Sequence, residues 1–403
     1  APADGAETEL WAKAAVLEDA QGKRAVLVTL DLVGISREVS QAICRQIMTK
    51  YQLPREALAL STSHTHCGPV VGTNLRSMYF LDDEQSRRVD QYTLELPGNI
   101  LKAVDQAVSR LEPVTLFAAT GQAGFAVNRR NNKEAEVPAL RAAGTPLKGP
   151  IDHDVAVLGA RNTAGKWTGI VFGYACHPTT LSFQKWCGDY PGYAMMDIEA
   201  ANPGAVALFF AGCGADQNPL PRRTLELAKQ YGRQLADAVL AVLAKPMTAL
   251  PATFTAVYQE IPLPLSHIPN RDELLKQTES KNKYEVARAK MLLKSLETTS
   301  DLPATYPYPV QTWQLGGQPL VILGGEVVVD YSLRLKNELG PRTWVMGYAN
   351  DVMAYIPSLR VLNEGGYEGA SSMIYYGLPS PWGPKVEELI IAEVHRQFKN
   401  TRK

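Results

Sequence analysis

Six histidines occur in 403 residues, and three of them sit in short turns that follow apolar, strand-like runs. His64 and His66 lie in Ser63-His64-Thr65-His66-Cys67-Gly68-Pro69, and His177 lies in Tyr174-Ala175-Cys176-His177-Pro178. Two more segments place metal-competent oxygens in similar surroundings, Glu326 after Gly324-Gly325 and Tyr355 in Ala354-Tyr355-Ile356-Pro357. Imidazole nitrogen mixed with carboxylate or phenolate oxygen is a donor set that suits zinc, and catalytic zinc sites keep one position for a water whose pKa falls to about 7. On extended chain the period-two spacing of His64 and His66 turns both rings the same way, so they either share a metal or divide into ligand and proton carrier. Composition does not choose the carboxylate. Asp31, Asp189 and Asp216 compete with Glu326, which also reads as an acid at a helix N-terminus.

Such turns need strands that deliver them. Residues 11–17 and 24–31 read as a hairpin around the turn at 19–22, followed by an amphipathic helix over 36–51 behind a Ser36 cap. A short strand at 57–61 then feeds the His64/His66 turn, which makes a βαβ unit with the active turn at the strand's C-terminal end. Strands at 154–159, 168–175 and 205–211 follow, the second ending at His177 and the third at the turn from Gly212 to Pro219, with a helix over 224–243. Beyond a strand at 254–258, the charged helical stretch 271–297 reads as a peripheral insertion spanning about 267–300. Strands at 310–315, 319–323 and 343–348 and helices at 329–339 and 386–398 complete an α/β pattern, a mixed β-sheet core flanked by helices. No internal repeat or low-complexity linker interrupts it, so residues 1–403 read as one metal-hydrolase domain.

Composition excludes other classes. Lys+Arg and Asp+Glu both number 41, the net charge is zero, and no basic block marks a nucleic-acid surface. No run approaches the roughly 20 apolar residues of a membrane-spanning helix. The five cysteines are odd in number and lack CxxC spacing, which argues against a disulfide framework or a thiolate zinc knuckle. Cys213 reads as a small buried residue rather than a nucleophile, and no G-x-S-x-G elbow is present. The chain opens at Ala1 rather than Met, so removal of a leader and export to the periplasm or the exterior are the expectation.

These segments resemble the catalytic domain of the neutral/alkaline, non-lysosomal ceramidases, zinc amidases that cleave the N-acyl bond of ceramide. Ser63-His64-Thr65-His66-Cys67-Gly68-Pro69 is similar to the family's T-H-T-H-S-G-P, Asn128-Arg129 to its N-R pair, and Ala175-Cys176-His177-Pro178-Thr179, with Gly188-Asp189 after it, to its F-A-x-H region. Gly325-Glu326, Tyr355 and Tyr367-Glu368-Gly369-Ala370-Ser371 resemble its G-E turn, its late Y-[IV] pair and its Y-E-G-A-S segment. The resemblance implies that His64, His177, Glu326 and Tyr355 hold Zn2+, that His66 and Arg129 hold or polarise the substrate, and that Asp189 is a base or orients a histidine. The implied reaction is attack of a metal-activated water on an acyl amide or ester of a small-molecule substrate.

Two departures bear on the transfer. The family's N-x-G-D-x-S-P segment, with its required serine, stands here as Gly212-Cys213-Gly214-Ala215-Asp216-Gln217-Asn218-Pro219, which makes Gln217 and Asn218 the substrate or oxyanion candidates or else parts of a tight turn. The chain also ends soon after Tyr367-Glu368-Gly369, so the expected fold is the catalytic domain without the family's C-terminal β-sandwich. The alternative reading is a catalytically altered relative that binds a lipid or glycan without hydrolysis. Tyr79, Phe80, Phe183, Trp186, Tyr190 and Tyr193, near the proposed ligands in sequence, are candidates for an acyl pocket or for plain core.

Overall fold

Successive apolar residues in the central strands point to opposite faces, and in the computed structural model, which describes residues 2–401, both faces are buried. Val155, Val157, Ile170, Phe172 and Phe209 pack under the helices Asp189–Ala201 and Leu225–Leu243. Their neighbours Ala156, Leu158, Val171, Leu208 and Phe210 meet Trp313, Leu320, Ile322, Trp344 and Met346 of another sheet. A strand covered on both sides reads as a continuous apolar run rather than an alternating one, as these do. The result is two facing layers of sheet with helices on both outer surfaces. Arg37–Tyr51 and Asp83–Ser109 cover the N-terminal strands, and Val329–Leu339 and Val386–Thr401 cover the C-terminal ones.

Each of the three larger sheets contains one parallel junction. Arg24–Leu30 runs parallel to Leu58–Thr62, Trp167–Tyr174 to Val206–Ala211, and Gln318–Leu323 to Trp344–Met346. Parallel neighbours need a crossover, and the helices Arg37–Tyr51, Asp189–Ala201 and Val329–Leu339 provide one for each. Ligand sites of α/β sheets form beyond the carboxyl ends of such strands, and here those ends are laced together by backbone hydrogen bonds. Thr62 N donates to Tyr348 O (3.2 Å), Gly347 N to Ala211 O (2.9 Å), Tyr348 N to Gly325 O (2.9 Å) and Asn350 N to Leu60 O (2.7 Å). His64, His177, Asn218, Glu326 and Tyr355 all follow these ends.

The expected hairpin is present, Ala12–Glu18 pairing antiparallel with Arg24–Leu30, and so is the βαβ unit behind His64. Three of the longer elements went unforeseen, besides several short ones. The 27-residue helix Asp83–Ser109 contains Pro97 and buries only Leu96, Pro97, Ile100 and Val104, leaving little apolar period to read. Val114–Gln122 buries only Phe117 fully, and Asp189–Ala201 opens on Asp-Tyr-Pro-Gly, a turn-like start whose proline is tolerated in a helix's first turn. The insertion is two helices rather than one, Arg271–Gln277 and Lys283–Ser295, because the Asn282 side chain caps the second by accepting from Tyr284 N. The strand from Phe254 runs on to Pro264, its prolines accommodated at a sheet edge. All five cysteines are buried and unpaired, and among the described residues no helix is long and apolar enough to cross a membrane.

Candidate metal and catalytic site

His64 is reached by a sharp reversal after its strand, with φ of 63°, in the left-handed region that costs a non-glycine residue energy. His64 N donates to Leu32 O (3.0 Å), and its Nδ1 lies 2.5 Å from Val33 O. His177 is held the same way, its N donating to Gln217 O (2.8 Å) and its Nδ1 facing Gly214 O at 2.8 Å. Gly214 must be glycine for that approach, since a Cβ there would lie 2.6 Å from Cys176 N. An Nδ1 opposite a carbonyl oxygen carries the proton, so both rings present the bare Nε2 lone pair, the tautomer that metal-binding histidines adopt.

Glu326 completes the centre. Gly325 precedes it at φ 73°, where a Cβ would meet Ala354 O at 2.7 Å, and this tight turn lets Glu326-Val327 pair in parallel with Tyr355-Ile356. Glu326 Oε2 lies 3.2 Å from His64 Nε2 and 3.1 Å from His177 Nε2, yet it is buried without a hydrogen-bond donor. Burial works to raise the Glu326 pKa, but the neighbouring imidazoles outweigh it and hold the carboxyl well below its usual range. Burial, with Arg129 adding, pushes His177 down to about 4. The centre therefore holds an ionised carboxylate and, near neutral pH, a neutral His177 ring, with the Nε2 atoms of His64 and His177 both aimed at Glu326 Oε2. A cation between them relieves that arrangement, and these are the ionisation states a metal requires of its ligands.

His66 Nε2 lies 3.2 Å from His64 Nε2, and the ligand atoms of His64, His66 and His177 fall within 4.8 Å of one another. His66 is exposed on its solvent side, and desolvation by the surrounding protein, then His64 and His177, drives its pKa well down. The Tyr355 hydroxyl is 3.3 Å from His177 Nε2 and accepts from Arg129 at 3.1 Å. Arg129 is fixed on its other sides by Glu368 (2.7 Å) and Asn218 Oδ1 (3.2 Å). The metal-type residues predicted from sequence, with His66 and Arg129, thus meet in one place.

Three other carboxylates are occupied elsewhere. Asp31 accepts from Trp11 N at 3.0 Å, and Asp216 accepts from Val329 N (2.8 Å) and Asn128 (3.1 Å). Asp189, expected to act as a base or to orient a histidine, instead takes Leu181 N (2.9 Å) and Tyr190 N (2.6 Å) with its two oxygens, anchoring the loop after His177. Gln217 is likewise corrected from oxyanion candidate to framework, because its amide accepts from Asp152 N (2.9 Å) and donates to Ala175 O. Asn218 faces Arg129 as expected of a site residue. Of the aromatic candidates, Tyr190 is core, its ring against Phe125 and its hydroxyl on Cys176 O (2.6 Å).

Two residues were missed. Tyr376 donates its hydroxyl to Glu326 Oε1, which leaves Oε2 to the histidines. The Tyr348 ring lies 4.5 Å from the His64 ring, tilted 39° to it. Only the end of the Trp344–Met346 strand hinted at the second, and nothing in sequence pointed to the first.

The profile of the neutral/alkaline non-lysosomal ceramidase N-terminal domain matches residues 2–213. The chain belongs to this family. The match contains His64, His66, Arg129 and His177, whereas Glu326 and Tyr355 join them only through the fold. Among solved structures, the neutral ceramidase from Pseudomonas aeruginosa is similar to this family member with a TM-score of 0.70 at 20% identity, over 96% of this chain and 68% of that one. A ceramidase complexed with C2 gives 0.71 at 19% identity, over 96% and 69%. These likenesses show the shared α/β fold, and membership in the ceramidase family supports hydrolytic activity. A search of curated proteins found no match.

Proposed function

We propose that this ceramidase-family chain is a zinc-dependent hydrolase that cleaves an N-acyl, ceramide-like amide or an ester. The observation that carries the reading is the convergence of His64 Nε2, His177 Nε2 and the donorless Glu326 Oε2 within 3.1–3.2 Å. Mixed nitrogen and oxygen donors with two imidazoles favour zinc, with Tyr355 as an additional oxygen. Zinc held there would supply Lewis-acid polarisation and a water acidic enough to act near neutral pH.

The remaining steps belong to the protein's own groups. Arg129, forked between Glu368, Asn218 and the Tyr355 hydroxyl, presents fixed positive charge where an acyl oxygen becomes negative, and preorganised charge of this kind is commonly the largest catalytic term. His66, at the solvent side of the cluster, carries the proton to the departing amine or alcohol. Asn218, standing where the resemblance places a serine, offers an amide that orients the substrate without forming a covalent bond.

The test pairs elemental analysis with turnover of N-acyl amides. About one zinc per chain, lost in His64→Ala and in Glu326→Ala, with hydrolysis lost alongside, supports the reading. His66→Ala separates the two roles of that residue, since a proton carrier leaves the metal in place and lowers kcat. Wild type that binds no metal overturns the proposal. Metal bound without hydrolysis moves the chain to the lipid- or glycan-binding alternative.

A further inference from the structure

The entrance to the site has two unlike walls that meet at Tyr367. One is a cleft of about 680 Å3 lined by Arg129, Arg130, Glu134, Asn218, Arg222 and Glu368, among others. Its guanidiniums are all matched. Arg129 lies 2.7 Å from Glu368, Arg130 lies 2.6 Å from Glu368 and 3.0 Å from Glu364, and Arg222 lies 2.9 Å from Glu134. Three cations thus face three carboxylates, so the wall alternates donors and acceptors and carries no net charge. The other wall is a succession of rings from Tyr367 outward. Tyr375 is 6.1 Å from Tyr367, Tyr284 is 5.0 Å from Tyr375, and Phe80 is 5.7 Å from Tyr284. Phe80 is 56% exposed and Tyr367 44%, so this aromatic track is open to solvent, with the Lys283 ammonium 4.8 Å over the Phe80 ring and 5.1 Å over Tyr284 at its outer end. Tyr284 comes from the helical insertion.

We propose that the substrate is an N-acyl amide with one hydrocarbon chain, laid along the rings, and an uncharged, hydroxyl-rich amine limb, such as an amino sugar, held in the charged cleft. This rests on the hydrolase reading and narrows it. A second hydrocarbon chain in the cleft would strip water from paired ions and return no hydrogen bonds, an unfavourable exchange. A charged limb would have to compete with a partner already in place. A hydroxyl both donates and accepts, so it can join an existing guanidinium–carboxylate pair without displacing either member. Tyr367 sits between the walls, 5.2 Å from Tyr355, so the amide at the junction of the two limbs falls beside the metal-type cluster.

The experiment compares three octanoyl amides in the same mixed micelles with the zinc-loaded full chain: N-octanoylglucosamine, N-octanoylsphingosine and N-octanoylglycine. Expected is a kcat/KM for the glucosamine amide at least about tenfold above the other two. Loss of a charge-assisted contact should reduce that preference by about tenfold in Glu134→Leu/Arg222→Leu, chiefly through KM. Glu134→Gln, which preserves packing, should fall between. Faster cleavage of the sphingosine or glycine amide, or an unchanged preference in the double variant, overturns this inference and leaves the hydrolase reading standing. Failure to cleave any of the three removes the hydrolase reading and this inference with it.

Discussion

Tyr376→Phe removes one oxygen and tests how Glu326 is held. The Tyr376 hydroxyl donates to Glu326 Oε1, while Oε2 is the atom 3.1–3.2 Å from the two histidines. Without that donor the carboxylate loses the contact that sets its rotation, and Oε1 becomes a second buried oxygen without a partner. Partners of this outer kind are worth 10–100-fold in metal affinity, about 1.4–2.7 kcal/mol. A hydrogen bond to a buried charge, at about 1.5–3 kcal/mol, gives the same range independently. The ring itself is retained, so its packing 6.4 Å from Tyr355 persists and the fold should survive. The assay is zinc competition against a chromophoric chelator, with Glu326→Gln as the variant that loses the ligand itself. The expected order of affinity is wild type, then Tyr376→Phe, then Glu326→Gln. A Tyr376→Phe affinity within about twofold of wild type, beside a Glu326→Gln variant that no longer binds, would refute the orienting role. Two unchanged variants would refute Glu326 as a ligand.

Arg129→Lys keeps the charge but cannot reach Glu368, Asn218 and Tyr355 together, so kcat should fall about 10²–10³-fold with zinc content unchanged; activity within threefold of wild type would contradict this. Burial raises Asp351 to about 7 even though the Tyr306 hydroxyl, 2.6 Å away, pulls the other way. A pKa raised on folding gives stability that is complete below the unfolded value near 4 and is lost as pH climbs through about 7. The span is up to about 4 kcal/mol. Urea titrations of Asp351→Asn between pH 4 and 8 should accordingly show a shallower decline than wild type, and parallel curves would exclude the assignment. Gly232 lets the helices Leu225–Leu243 and Asp189–Ala201 touch, since a Cβ there would lie 2.5 Å from Tyr193 Cβ and 2.9 Å from Tyr190 O. Gly232→Ala should cost about 1–3 kcal/mol by thermal or urea unfolding, although alanine is the better helix former; a stabilised variant would show that the helices separate easily.

What was legible in the sequence divides along a physical line. Strand ends were readable because an apolar run that stops at glycine or proline announces itself locally, and His64, His177 and Glu326 each follow such a stop. Sequence proximity to a histidine was a poor guide. Asp189, twelve positions after His177 in the chain, spends its oxygens on Leu181 N and Tyr190 N, and Gln217, whose own carbonyl holds His177 N, turns its side chain to Asp152 N and Ala175 O. In both cases a backbone amide lay closer than any ring, and a buried polar side chain binds what is nearest. Tyr376 shows the converse. It reaches Glu326 across fifty positions from a segment whose sequence resembles any short aromatic turn, and only the packing of that segment beneath the Tyr355 strand brings the two together. The choice of Glu326 over Asp31 and Asp216 follows the same rule. Those two face backbone amides or amide side chains, whereas Glu326 Oε2 alone of the four acids is left facing bare imidazole nitrogens. A carboxylate oxygen that lacks a donor and faces imidazole nitrogens, rather than one merely close to histidine in sequence, is therefore the physical mark that singles out Glu326 as the proposed metal ligand.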